Sequence, residues 1–232
     1  MGWVFGLKLV TIQAFDIPDA WYQCLARIFS EGHVYVVDEG SFPGHKRLEF
    51  DNVAITISNP SNRPLIPEVP EGIPPPTDMK YVNYYTLRYL LSDFREEGEE
   101  YTYGERIFPQ LEILVEKLRR APNTNQACIE VARPEDIHLK HPPCLRLIDM
   151  RIRYGKLHFY VYFRSWDLYS GFPPNLAGLQ LLKEHLAEQI GVEDGTLNAY
   201  SKGLHLYDFQ WEHVKALLSR GSSPSLPFRK GH

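Results

Sequence analysis

The sequence predicts a single α/β or α+β domain, and three observations carry that expectation. With 232 residues, 44% of them hydrophobic, the chain can bury a sizeable core, as one large domain or two small ones. Segments alternating apolar and polar residues with period two recur along the chain. Between them lie segments whose apolar residues follow the helical period.

The elements follow in order. "LKLVTIQAF" alternates as a first strand. Asp16, Pro18 and Asp19 then set up a helix over "AWYQCLARIFSEG", closed by Gly32. "HVYVVDEG" reads as a strand, and "SFPGHKRLEF" as a charged loop after it. "NVAITIS" places Val53, Ile55 and Ile57 on one face of another strand. Seven prolines between Pro60 and Pro76 make residues 60–76 a stiff connector, because proline removes the backbone donor that a helix or central strand needs.

"MKYVNYYTLRYLLSDF" has roughly helical spacing, and "FPQLEILVEKLRR" puts Leu111, Leu114, Val115 and Leu118 on one helical stripe. "EEGEEYTYGER" between them reads as a surface turn. Residues 144–164 form two strands around "RYGK", in which Leu157, Phe159, Val161 and Phe163 alternate with His158, Tyr160, Tyr162 and Arg164. That alternation places Arg164 on one face with the other three. Pro173 and Pro174 start a helix striped by Leu176, Leu179, Leu182, Leu186 and Ile190, and Gly191 stops it. A strand ending near Tyr207 and a short helix over "QWEHVKALLSR" complete the chain, with residues 221–232 a loosely held tail.

Composition narrows the function classes. A net charge of -4 with no basic run longer than Arg119-Arg120 offers neither a nucleic-acid footprint nor a membrane-surface patch. No apolar run reaches membrane-spanning length, and the first residues lack the features of a signal peptide. Cys24, Cys128 and Cys144 are an odd number at wide spacing, which fits neither a disulfide framework nor a metal site with paired ligands. A reducing cytoplasm is the expected compartment, and small-molecule chemistry the expected class.

The chemistry-bearing stretch is "HPPCLRLIDM". Taken alone, Cys144 after two prolines reads equally as buried filler or as a nucleophile. Its company is "RSWDLYSGFPPN" about twenty residues on and "GLHLYDF" beyond that, with "YTYGER" before it. Together these segments resemble the thymidylate synthase family, most clearly from Tyr101 to about Leu218. The first hundred residues are similar, more loosely, to its shorter archaeal-like branch.

The resemblance implies an α+β fold in which a large twisted mixed sheet is layered with helices. Residues 1–220 would be a single catalytic domain that dimerises face to face through that sheet. It implies a folate-dependent methyltransferase acting on a pyrimidine nucleotide, with methylenetetrahydrofolate as co-substrate and no metal. Cys144 would be the thiolate that adds to ring carbon six and makes carbon five nucleophilic. Arg164 would favour that thiolate and hold the phosphate, with Ser165 beside it. Asp167 would accept hydrogen bonds from the pterin, Asn175 would read the base edge, and Tyr103 would lie close to the nucleophile. His205 and Tyr207, two apart on one strand, would leave the same face and converge on the sugar 3'-hydroxyl. Arg106 flanks a family position without an assigned role.

The chain also departs from the family. Asn125 and Gln126 stand where typical members carry two arginines that cross the dimer interface to the partner's substrate phosphate. The resemblance also implies an N-terminal phosphate arginine in the loop after "YVVDEG", where Lys46 and Arg47 are candidate substitutes. The family's glutamate on the first long helix has no counterpart in "YVNYYTLRYLL", leaving water or the Glu96 to Glu100 cluster as proton sources. Leu145 follows the cysteine where many members have histidine, and Trp166 fills a position that is usually smaller. The leading reading is reductive methylation of dUMP. Its alternatives are a pyrimidine nucleotide hydroxymethylase, which ends in attack by water, and a weakly active nucleotide-binding paralogue. Asn175 favours uracil over cytosine, although an amide free to flip would satisfy either base.

Overall fold

Two mixed sheets share one core. The computed structural model of the chain describes residues 6–221. The larger sheet has the strand order β1-β4-β9-β7-β6-β5, and the smaller, which begins with β2 (His33–Val36), the order β2-β3-β10-β8.

In the larger sheet, β1 (Leu9–Ala14) runs parallel to β4 (Asn52–Ile57), and β7 (Lys156–Phe163) parallel to β9 (Glu193–Ser201). β6 (Leu145–Arg153) and β5 (Cys128–Glu130) extend it with antiparallel pairing. Each long strand buries alternate residues, as its period demands: Val10, Ile12 and Ala14, Val53, Ile55 and Ile57, and Leu157, Phe159, Val161 and Phe163. The opposite face carries Thr11, Gln13, Thr56, Tyr160 and Tyr200 and is exposed.

α1 (Ile17–Glu31) and α4 (Phe172–Ile190) pack against the apolar side. Asp16 caps α1 by accepting the Asp19 N–H at 2.9 Å, and Trp21, Cys24, Leu25 and Ile28 form its buried stripe. Gly191 ends α4 in the left-handed region, φ 87°, where a side chain would be strained. α2 (Met79–Tyr84) continues as a π-helical turn over Tyr85–Leu90. α5 (Trp211–Gly221) follows a short 3-10 turn. No helix among the described residues is long and apolar enough to cross a membrane.

Four segments differ from the sequence reading. "SFPGHKRLEF" contains β3 (Lys46–Glu49), a central strand of the smaller sheet paired on both sides. Its single apolar residue, Leu48, hid it, because partners rather than composition hold it in place. The strand read through to Tyr207 is two, β9 and β10 (Leu204–Tyr207), and the chain changes sheet at Lys202-Gly203. The "EEGEEYTYGER" turn stops at Thr102, whose hydroxyl accepts the Glu105 N–H at 3.1 Å and caps α3 (Tyr103–Arg120). β7 ends at Phe163, and Arg164 leaves the face of His158, Tyr160 and Tyr162 for another set of partners. Residues 60–76 carry neither helix nor strand, as their prolines require. Beyond Gly221, the expected tail lies outside the described residues.

Candidate active site

The thiol-bearing turn is held from two sides. Arg164 donates from Nε to the Pro143 carbonyl at 3.0 Å and from Nη2 to the Pro142 carbonyl at 2.6 Å, and its own N–H binds the Cys144 carbonyl at 2.9 Å. From the other side the Tyr103 hydroxyl accepts the Leu145 N–H at 3.2 Å. The two proline rings limit the turn's freedom before these bonds form. Cys144 is therefore positioned by its neighbours' backbones while its side chain stays half-buried.

β8 (Trp166–Asp167) pairs in parallel with β10, which sets Asp167 opposite His205. Asp167 Oδ1 accepts the N–H groups of Tyr169 at 2.8 Å and Ser170 at 3.0 Å, and Gln210 Nε2 lies 3.1 Å from Oδ2. Gln210 also accepts the Tyr207 N–H at 2.9 Å, so one amide ties the two residues together. His205 is 2% exposed, and its Nδ1 lies 2.8 Å from the Gly203 carbonyl. A carbonyl only accepts, so Nδ1 carries the proton and Nε2 is an acceptor. Nε2 is buried and has no partner among the described residues. Burial also lowers the imidazole pKa, which keeps the ring neutral.

A cleft of about 570 Å³ brings Cys144, Arg164, Ser165, Asp167, His205 and Tyr207 to one surface. Tyr101, Phe42, Glu39 and Arg47 line it as well. Phe42 holds a left-handed backbone, φ 60°, and packs edge-on against Tyr207 at 5.0 Å. Tyr103 lies behind the cleft as a support for Leu145. Asn175 lies behind Trp166, whose indole N–H donates to its Oδ1 at 3.0 Å. Trp166 is clamped between Phe163 at 4.0 Å and Phe172 at 4.5 Å, so the larger residue noted in the sequence has a packed slot.

Electrostatics temper the expectation for the thiol. Burial raises the Cys144 pKa above its ordinary value, and the opposing pull of Arg164 and then Arg146 does not overcome it. Arg106, by contrast, is a structural tie. It is buried, makes two 2.7 Å bonds to the Asp136 carboxylate, and donates to the Val131 carbonyl. Asn125 is remote from the cleft surface: its side chain accepts from Arg151 at 3.0 Å beside the exposed face of the larger sheet. Lys46 is not among the cleft residues, and its N–H binds Asp208. Sequence reasoning missed Gln210 and Glu39. Tyr101 sat in view beside Tyr103 in "YTYG".

The thymidylate synthase family model matches residues 80–230, a stretch that contains the thiol and every expected partner. The chain belongs to the thymidylate synthase family. A protein of Methanosarcina acetivorans named "Putative thymidylate synthase" is 32% identical over 216 residues, covering 89% of this chain and 94% of its own. Its namesake in Methanocaldococcus jannaschii is 30% identical over 224 residues, covering 89% and 95%. At 89% of this chain, both matches reach well into the first hundred residues, where the family model does not extend before residue 80. The thymidylate synthase fold thus accounts for nearly the whole described chain.

Proposed function

We propose that the protein catalyses reductive methylation of dUMP to dTMP, with Cys144 as the nucleophile. The observation that carries this reading is the convergence of Cys144, Arg164, Asp167, His205 and Tyr207 on one cleft. The Cys144 sulfur bonds to ring carbon six and the electron pair of the 5,6 double bond moves toward carbon five, which becomes the attacking atom. After taking up the one-carbon unit, carbon five gives up its proton to water, and hydride delivery to that unit expels the sulfur and restores the double bond.

The remaining residues bind and orient. The sugar 3'-hydroxyl donates to the unprotonated Nε2 of His205 and accepts from the Tyr207 hydroxyl. That pairing supplies the hydrogen-bond donor that the buried nitrogen lacks. Arg164 and Ser165 face the phosphate. Asp167 keeps lone pairs for pterin N–H groups, since its turn bonds use mainly Oδ1. The acceptor that Asp167 offers suits the N–H groups of a reduced folate, which when bound supplies the one-carbon unit and the hydride. Trp166 can only donate, so it holds Asn175 Oδ1 toward itself and opposes an amide flip. Asn175 is not among the cleft residues, so its preference for uracil would be expressed only where the amide reaches the base edge past the Trp166 ring.

The exposed sheet face with Tyr160 and Tyr200 supports a homodimer formed face to face. The activity is tested by incubating the protein with dUMP, dCMP or deoxyuridine and labelled methylenetetrahydrofolate, with products identified by mass. Thymidylate with dihydrofolate is the expected result. A hydroxymethyl product with tetrahydrofolate would move the assignment to a hydroxymethylase, and binding without turnover to an inactive paralogue.

A further inference from the structure

Beside the cleft lies a second recess of about 300 Å³, which shares Arg47, Arg164, Ser165 and Glu39 with it and is closed by Glu49 and Lys202. Three cations reach it from three separate elements. Arg47 comes from β3, Lys202 from the turn where the chain changes sheets, and Arg164 from the link between β7 and β8. Adjacent strands bring them together: Arg47 is the register partner of Tyr207, and β8 pairs with β10 on the other side. The turn packs close to Arg164, since a Cβ on Gly203 would come within 3.0 Å of the Arg164 carbonyl oxygen.

The cations are only partly used within the chain. Arg47 pairs through Nε with Glu49 at 2.8 Å, while Arg164 spends Nε and Nη2 on proline carbonyls and its Nη1 has no partner among the described residues. Lys202 makes no hydrogen bond or ion pair among the described residues, yet its charge acts on Glu49. Against Glu39 and Glu49, the three cations leave a surplus of one positive charge, with the Ser165 hydroxyl as a further donor. A tetrahedral anion with several oxygens matches donors arriving from different directions. A carboxylate, with two oxygens and one charge, would leave part of the set idle.

We propose that Arg47 and Lys202, acting with Arg164 and Ser165, form a phosphomonoester site contributed wholly by one chain, which offsets the uncharged Asn125 and Gln126. As the phosphate end of a nucleotide whose base lies by Cys144, the site rests on the function proposed above. The two are nevertheless separable, because inorganic phosphate reports on the recess alone.

The test is calorimetric titration of the full-length protein with dUMP, deoxyuridine and inorganic phosphate, using Arg47→Gln, Lys202→Gln and Glu39→Gln. The two cation variants should weaken dUMP by about tenfold each, on the scale of one charge-assisted hydrogen bond, and leave deoxyuridine unchanged. Glu39→Gln should tighten dUMP and phosphate, a sign that loss of packing does not produce. Arg47→Lys, which keeps the charge, should recover part of the dUMP affinity and guards against a folding defect in the glutamine variant. Unchanged dUMP affinity in both cation variants would overturn the proposal, as would equal losses for dUMP and deoxyuridine. If phosphate binds with this charge dependence while neither dUMP nor deoxyuridine binds, the recess stands and the nucleotide reading falls.

Discussion

Cys144 carries two opposing influences, and their balance has measurable consequences. Burial lifts its thiol above the ordinary value of 9.0, while Arg164 and Arg146 pull it down. Alkylation of Cys144 by iodoacetamide should therefore accelerate with pH and still be rising at pH 9, and Arg164→Gln should slow it at every pH below that. Cys144→Ser should abolish dTMP formation while changing dUMP affinity by no more than about twofold, since the hydroxyl keeps the shape but is a far weaker nucleophile. His205 gives a prediction of opposite character. Its pKa is held below the ordinary 6.5, so Nε2 stays an acceptor from pH 8 down to pH 6.5 and deoxyuridine affinity should be flat across that window. Below 6.5 the unfolded chain takes up this proton before the folded one, so this group's contribution to stability falls as pH falls. At this scale the sequence was most legible where the cleft residues sit in short motifs. Cys144, Arg164, Ser165, Asp167, His205 and Tyr207 each sit in a short motif, whereas the screening of Asn175 depends on where the Trp166 ring lies in three dimensions. The charge of Arg47 was visible, but its destination required the pairing of β3 with β10.

At the level of elements, the start of α3 is the most demanding junction. A Cβ on Gly104 would stand 2.0 Å from the Ser92 carbonyl oxygen, a backbone atom that cannot swing aside. Gly104→Ala should cost about 2–3 kcal/mol in urea unfolding, the upper part of the range for overpacking, because the loop after the π-helical turn must move. Thr102→Ala, which deletes only the cap, should cost about 1 kcal/mol in the same assay. Long elements with an unbroken period, such as α4, β6 and β7, were legible because one face of each is buried throughout. β3 and the break between β9 and β10 were not, because a four-residue strand held by neighbours on both sides has no period to read.

For the whole molecule, the six-stranded sheet is closed by helices on one side only. Its other face presents Tyr160 at 42% and Tyr200 at 40% exposure, with Tyr162 5.9 Å from Tyr200, an aromatic surface suited to a second copy. Sedimentation should give about twice the 26.9 kDa chain mass, and the paired change Tyr160→Glu with Tyr200→Glu should shift the protein toward monomer by burying unpaired charge. A domain of strands and helices was foreseeable from the periodicities, and the large mixed sheet only from the family resemblance. The second sheet was not, since its four strands come from distant parts of the chain and are joined only by tertiary pairing.

The bonds from Arg164 to the carbonyls of Pro142 and Pro143 also set a standard of length. They give the sulfur and the guanidinium one frame of reference, so thermal wandering of the turn carries both together. Their separation is then steadier than the position of either in the fold. Under the function proposed above, a nucleotide spanning the two would meet a gauge of fixed span, and molecules too short or too long would be turned away before any bond to sulfur is made.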